Sequence, residues 1–146
     1  MRIALLFALA LAGCGAPGDR LSDGQAEPWQ NAATDAPTGL AGTNWTVLAI
    51  NGRATPGGAG YFITFAGSEI AAQFGCNRIS GGWRLNGDHL STSDLMQTEM
   101  GCPEPAMTLE RLGSAVLASN MRVERISGET MRLVSEAGSI DLRRAI

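Results

Sequence analysis

The chain has 146 residues and a formal net charge of −3, with 11 positively charged side chains that are all arginine and a single histidine. This length fits one domain plus a short appendage, with one core rather than two. The arginines are spread along the chain instead of gathering on one basic face, which argues against nucleic acid as a partner.

The first element is an export signal. Arg2 precedes an apolar run from Ile3 to Ala12, then Leu11-Ala12-Gly13-Cys14. The run is about ten residues long, too short for the ~20 that a membrane-spanning helix needs. Leu-Ala-Gly-Cys resembles the lipobox of bacterial lipoproteins at all four positions; a general secretory signal with a chance cysteine is the alternative. The resemblance implies that residues 1–13 are removed and that Cys14 becomes an acylated N-terminus, the site of lipid attachment. Several acyl chains at ~0.8 kcal/mol per buried methylene hold a protein firmly to a membrane. Gly15, not Asp, follows the cysteine. In the many bacteria where Asp at this position retains lipoproteins in the inner membrane, its absence implies the outer membrane, facing the periplasm.

Residues 14–39 are rich in Gly, Ala, Pro, Asp and Gln, with Leu21 and Trp29 the only large apolar side chains after the cysteine. So little apolar surface cannot offset the entropy of ordering, so the segment reads as a flexible tether. Docking of Trp29 on the domain is the alternative.

From residue 40 to 146 short apolar runs alternate with Gly and Asn, the texture of antiparallel strands. The expected strands are Asn44–Ile50, Tyr61–Phe65, Glu69–Phe74, Gly82–Leu85, His89–Thr92, Met121–Ile126, Thr130–Ser135 and Ser139–Arg143. Asn86-Gly87 predicts a type I′ hairpin turn, and Ser127-Gly128 and Ala137-Gly138 predict two more, making the last three strands a meander. Pro103-Glu104-Pro105 opens a helix of about fourteen residues, whose apolar face carries Leu109, Leu112, Val116 and Leu117. Glu104 and Glu110 suit its early turns. The expected fold class is therefore mainly β (α+β): a small antiparallel, barrel-like sheet with one α-helix packed on it.

Three cysteines are an odd number for an exported protein. Lipidation of Cys14 removes the oddness and leaves Cys76 and Cys102, for which a disulfide is the default in an oxidising compartment. Two buried thiols kept apart by geometry are the alternative. A metal site with His89 as third ligand lacks the support of a paired Cys-x-x-Cys or His-x-x-His spacing. No metal or other cofactor is expected.

The block Phe74-Gly75-Cys76-Asn77-Arg78-Ile79-Ser80-Gly81-Gly82-Trp83, with Gly87, Leu90, Thr98-Glu99-Met100-Gly101-Cys102-Pro103 and Glu110, resembles the META domain, the HslJ-like family of bacterial exported proteins. Trp45-Thr46-Val47-Leu48, Asn51-Gly52 and the strand Tyr61–Phe65 fit its layout. The resemblance spans roughly residues 40–146. It implies a small barrel-like sheet with a helix, in a family linked to heat-shock responses, antibiotic tolerance and, in some parasites, virulence or motility, and it implies no settled activity. Glu99 stands where many members carry Arg or Lys.

A nucleophile, base and acid can be assembled on paper from Ser80, Ser91 or Ser93, His89, and Asp88 or Asp94. No Gly-x-Ser-x-Gly elbow accompanies them, and a surface histidine beside a hairpin is the better reading, so no enzyme is expected. Asn77 and Arg78 follow a strand cysteine. They are read as fixing a turn by satisfying loop carbonyls beside Gly81-Gly82, with a surface binding site as the alternative. Two functions remain. One is a monomeric, membrane-anchored binding or scaffolding domain for envelope integrity or stress, whose protein partner is unknown. The other is a carrier of a small apolar ligand inside the barrel. Phe62, Phe65, Phe74 and Trp83, if they point inward, would fill that interior.

Overall fold

The computed structural model describes residues 39–146. The expected signal peptide, Cys14, the part of the expected tether up to residue 38 and Trp29 lie outside the described residues. Nine strands follow in chain order: β1 (Thr43–Ile50), β2 (Arg53–Ala54), β3 (Tyr61–Ala66), β4 (Glu69–Phe74), β5 (Arg78–Asn86), β6 (His89–Gln97), β7 (Met121–Arg125), β8 (Thr130–Ser135) and β9 (Gly138–Arg144), with one helix, α1 (Ala106–Leu117), between β6 and β7. All pairings are antiparallel between neighbours, and β1 also pairs with β9. That last pairing closes eight strands into a barrel, with the two-residue β2 attached to the outside of β1.

Closure follows from period-two patterning. Trp45 and Val47 in β1, Tyr61, Ile63 and Phe65 in β3, Ile70, Ala72 and Phe74 in β4, Met131 and Leu133 in β8, and Ile140 and Leu142 in β9 are all buried. An eight-stranded barrel has an interior just wide enough for side chains to fill. Here Phe65 and Trp83 meet edge to face across it, ring centroids 5.0 Å apart. Phe62 corrects the sequence expectation. Its neighbours Tyr61 and Ile63 point inward, so alternation turns Phe62 outward, where it is half-buried.

Helix α1 packs on β4 and β9 and touches β1 and β8; β4 and β8 face each other across the eight-strand ring, so the helix lies across one mouth of the barrel. Leu109, Val116 and Leu117 are buried, and Leu112 packs at the edge of the core. The helix is twelve residues long rather than about fourteen, because the Pro103-Glu104-Pro105 stretch forms the approach and not the first turn. Glu104 accepts a hydrogen bond from the Thr108 amide at 3.1 Å, satisfying one of the free donors at the helix start. At mid-helix, Gly113 sits directly on Phe74: a methyl added there would lie 2.5 Å from the ring. Alanine raises helix propensity by about 1 kcal/mol. A buried ring walled in by the barrel cannot retreat, and overpacking costs about 1–3 kcal/mol. Gly113→Ala is therefore expected to lower stability by up to about 2 kcal/mol in urea unfolding, against its propensity.

The β5–β6 hairpin departs most from expectation. Both strands are longer than predicted, and the turn is shifted by one residue. Asn86 pairs with His89, leaving Gly87-Asp88 as the two-residue loop. Only Gly87 has positive φ there (+62°), the pattern of a type II′ turn and not type I′. The Asn51-Gly52 pair between β1 and β2 carries positive φ at both residues (50° and 74°), the type I′ pattern. Similarly, Ser135 pairs with Gly138, so the last turn is Glu136-Ala137 and Gly138 opens β9.

Between Ser80 and Gly82 the pairing with β6 slips by one residue: Ser80 opposes Met96, but Gly82 opposes Ser93. Asp94 takes up the extra length at φ 51°, a left-handed conformation that Asp tolerates. This bulge reverses which side chains face inward. Before it Leu90 points into the barrel; after it Gln97, opposite the buried Ile79, is turned toward α1, and Met96 faces solvent. The bulge thereby aims Gln97 at the site described next.

Candidate functional site

The β4–β5 connection, the end of β6 and α1 converge on a buried polar cluster. Its centre is Asn77, 3% exposed, and Glu110, 5% exposed. The backbone amide of Asn77 donates to Glu110 Oε2 at 2.8 Å, and its Nδ2 donates to Glu110 Oε1 at 2.6 Å. Gln97 Nε2 adds a third donor to Oε1 at 2.9 Å, while Ser114 donates to Gln97 Oε1 at 3.1 Å. The other side of Asn77 holds the segment ahead of the helix. Nδ2 also donates to the Met100 carbonyl at 2.9 Å, and Oδ1 accepts from the Met100 amide at 2.7 Å and the Thr98 hydroxyl at 2.9 Å. One amide side chain thus satisfies backbone and side-chain groups from α1 and from the segment ahead of it, which is what a buried polar group requires.

Cys76, beside Asn77, is disulfide-bonded to Cys102, with Cα atoms 6.4 Å apart. The bridge and Asn77 together tie the approach to α1 onto the β4–β5 connection. Above them opens a groove of about 500 Å3 lined by Asn77, Gln97, Thr98, Met100, Met107 and Glu110, among others. Met100 and Met107 are exposed, as is Met96 nearby on β6. Flexible, polarisable thioethers at a surface suit adaptable contacts.

The structure separates the two residues that the sequence paired. Asn77 is buried and bonded to Thr98, Met100 and Glu110, not to carbonyls beside Gly81-Gly82. Arg78 is exposed, and the hydrogen bonds it makes to Thr98 are through its backbone: its amide donates to the Thr98 hydroxyl and its carbonyl accepts from the Thr98 amide, each at 3.0 Å. Arg78→Ala is therefore expected to leave the melting temperature unchanged within about 0.5 kcal/mol of stability, as for other surface substitutions. A clear drop in a thermal melt would show that the guanidinium holds the loop after all.

The candidate catalytic set is not brought together. His89 Nε2 lies 3.5 Å from Asp88 Oδ1, with both side chains more than half exposed. Ser80 and Asp94 lie at the bulged end of the β5–β6 hairpin, and Ser93 is four residues from His89, about 13 Å along a strand. Ser91 alone shares a face with His89 nearby. His89 is likewise no neighbour of the cysteines; the titratable group that lies with them is Glu110, and the three donor atoms stand within 4.8 Å of one another. From the sequence Glu110 is an early-turn acid and one of the residues carrying the family resemblance, with no partner assigned to it. Its signal was its place three and seven residues before Gly113 and Leu117, on the buried face of the helix.

A family model, the META domain, matches residues 38–144. Among solved structures, one NMR structure is similar with a TM-score of 0.62 and 21% identity, covering 71% of this chain and 90% of that one. An NMR structure of a protein from Burkholderia xenovorans is similar with a TM-score of 0.56 and 24% identity, covering 73% and 83%. At these identities the likeness concerns the fold. No curated protein matches the sequence.

Proposed function

Since the chain belongs to the META domain family, we propose that it works as an exported lipoprotein, anchored through Cys14. Its non-catalytic barrel binds or scaffolds an envelope component under stress. The observation that carries this reading is the filled interior. Trp45, Ile63, Phe65, Phe74, Leu133 and Ile140 are each at most 1% exposed and occupy the space a carrier would keep for cargo. Recognition then belongs to the outer surface, where a groove sets the exposed Met100 and Met107 around the buried polar pair Asn77 and Glu110. The lipobox-like Leu11-Ala12-Gly13-Cys14 supports the anchor, and the low apolar content of the following residues supports a tether holding the barrel off the membrane. Gly15 after the cysteine supports the outer membrane, facing the periplasm.

Mass spectrometry of the native membrane fraction tests this reading, both intact and under non-denaturing conditions. The expected product is a chain that starts at diacylated or triacylated Cys14 and carries no small molecule. An unlipidated soluble product would sink the anchor. A retained apolar ligand would restore the carrier.

A further inference from the structure

Glu110 presents a problem in electrostatics. A carboxylate 5% exposed should be paired with a cation or a metal. Among the described residues no salt bridge reaches it, and its three donors are neutral amides: the backbone and side chain of Asn77 and the side chain of Gln97. A carboxylate offers about four lone-pair positions. One remains, on Oε2, which accepts only the Asn77 amide. The groups standing next to this carboxylate are the sulfurs of Cys76 and Cys102.

We propose that the reduced Cys76–Cys102 pair, with Glu110, forms a site for one borderline-soft divalent cation such as Zn2+. Reduction by a dithiol transfers two electrons and two protons to the bridge: the Sγ–Sγ bond breaks, two thiols form, and the reductant leaves as a cyclic disulfide. The cation then displaces both thiol protons to solvent and bonds two thiolates and the free lone pair of Oε2. Zinc bonds to sulfur at ~2.3 Å and to carboxylate oxygen at ~2.0–2.2 Å, which sets neighbouring donors about 3.5–3.8 Å apart in a tetrahedron. In the oxidised chain the two sulfurs are bonded to each other and a Glu110 carboxylate oxygen lies within 4.8 Å of both, so reduction needs only to let the sulfurs part to the tetrahedral spacing. The three donors come from the β4–β5 connection, the approach to α1 and α1 itself, so the fold brings them together without the cation. The Met100 carbonyl, 3.4 Å from the Cys102 sulfur and 3.9 Å from that of Cys76, or a water from the groove completes the fourth position. Two thiolates favour zinc or cadmium over magnesium and calcium. The oxidised bridge, having no thiolate, does not bind, so the site is opened by reduction. This inference does not rest on the lipid anchor.

The test uses the full chain, oxidised or reduced with a dithiol and then freed of it without air. Zn2+ per chain is measured by equilibrium dialysis, and Co2+ serves as the spectroscopic stand-in. The expected result is one Zn2+ per reduced chain, none on the oxidised chain, and a thiolate-to-cobalt charge-transfer band only after reduction. Glu110→Gln should weaken binding at least about tenfold, since loss of even outer-shell support costs 10–100-fold. Equal affinity in a folded Glu110→Gln chain would reduce the site to a bare dithiol and overturn the proposal, as would binding to the oxidised form. Should Glu110→Gln fail to fold, the reduced wild-type chain decides. Its melting temperature must rise with Zn2+ concentration as for one-site binding, and an unchanged melt overturns the site.

Discussion

Replacing Cys76 and Cys102 together by serine is expected to lower the melting temperature by about 15–30 °C. The residues are 26 apart in sequence, and closing a loop of that length removes about 3.5 kcal/mol of denatured-state entropy in the chain-entropy model. For a domain near one hundred residues, each kcal/mol moves the midpoint by about 4–8 °C. The position of the bridge argues for the upper part of this effect. It joins the approach to α1 to the β4–β5 connection, and α1 covers a mouth of the barrel whose Phe74 and Ile140 would otherwise meet water. Loosening the approach therefore exposes more than one loop. Thermal unfolding followed by circular dichroism measures the drop, with the reduced wild-type chain in chelator as companion, since both lack the cross-link. A fall of only a few degrees would mean that Asn77 alone holds the segment, or that the unfolded chain keeps the two cysteines near each other.

Much of this architecture was legible because burial writes period two on strands and period 3.6 on helices. The last three strands and the face Leu109, Leu112, Val116 and Leu117 were readable for that reason. The bulged end of β5–β6 was not. Gly81-Gly82 and Ser91-Thr92-Ser93-Asp94 carry no apolar alternation, and the bulge at Asp94 reverses the inward set, so no single period runs through the strand. The turn signal Asn-Gly occurs twice, at Asn51-Gly52 and Asn86-Gly87, and the two sites use it differently. Cross-strand pairing of Asn86 with His89 places Asn86 inside the strand, and only the first site takes the type I′ form.

The site was half legible for a different reason. Cysteine parity, once the first residues are read as an export signal, points to Cys76 and Cys102 without any knowledge of the fold. The partnership of Asn77 with Glu110 spans 33 residues and leaves no mark in local spacing. A lone acid on the buried face of a helix is a visible conflict between pattern and residue type, and such conflicts concentrate where polar networks or functional groups lie. Arg78 attracted notice as a rich donor, yet its neighbour Asn77, smaller and with both donor and acceptor, is the one that fits among backbone groups in a closed space.

Asn77→Ala should cost about 3 kcal/mol, the largest loss expected from any single polar substitution in the domain. Truncation removes two donors and an acceptor at once. Glu110 Oε1 keeps only Gln97, the Met100 carbonyl loses its amide partner, and the Met100 amide and Thr98 hydroxyl lose Oδ1. A stranded buried group costs about 1–3 kcal/mol, more when it is charged, and Glu110 is the buried one here; Thr98 and Met100 are exposed, so water from the open groove recovers much of their share. The charged member sets the size of the effect. Glu110→Met, which replaces the carboxylate by an apolar chain of similar length, strands Gln97 and the Asn77 amide in turn and is destabilising by itself. In the double variant, however, no buried anion is left without its donors. Asn77→Ala with Glu110→Met should therefore cost about 1–3 kcal/mol less than the sum of the two single changes, the coupling typical of residues in one network. Chemical denaturation of the four chains of the cycle, with the bridge oxidised, gives the coupling directly. Additivity within about 0.5 kcal/mol would mean that Asn77 acts through the Met100 segment alone and that Glu110 is held by Gln97 and the backbone.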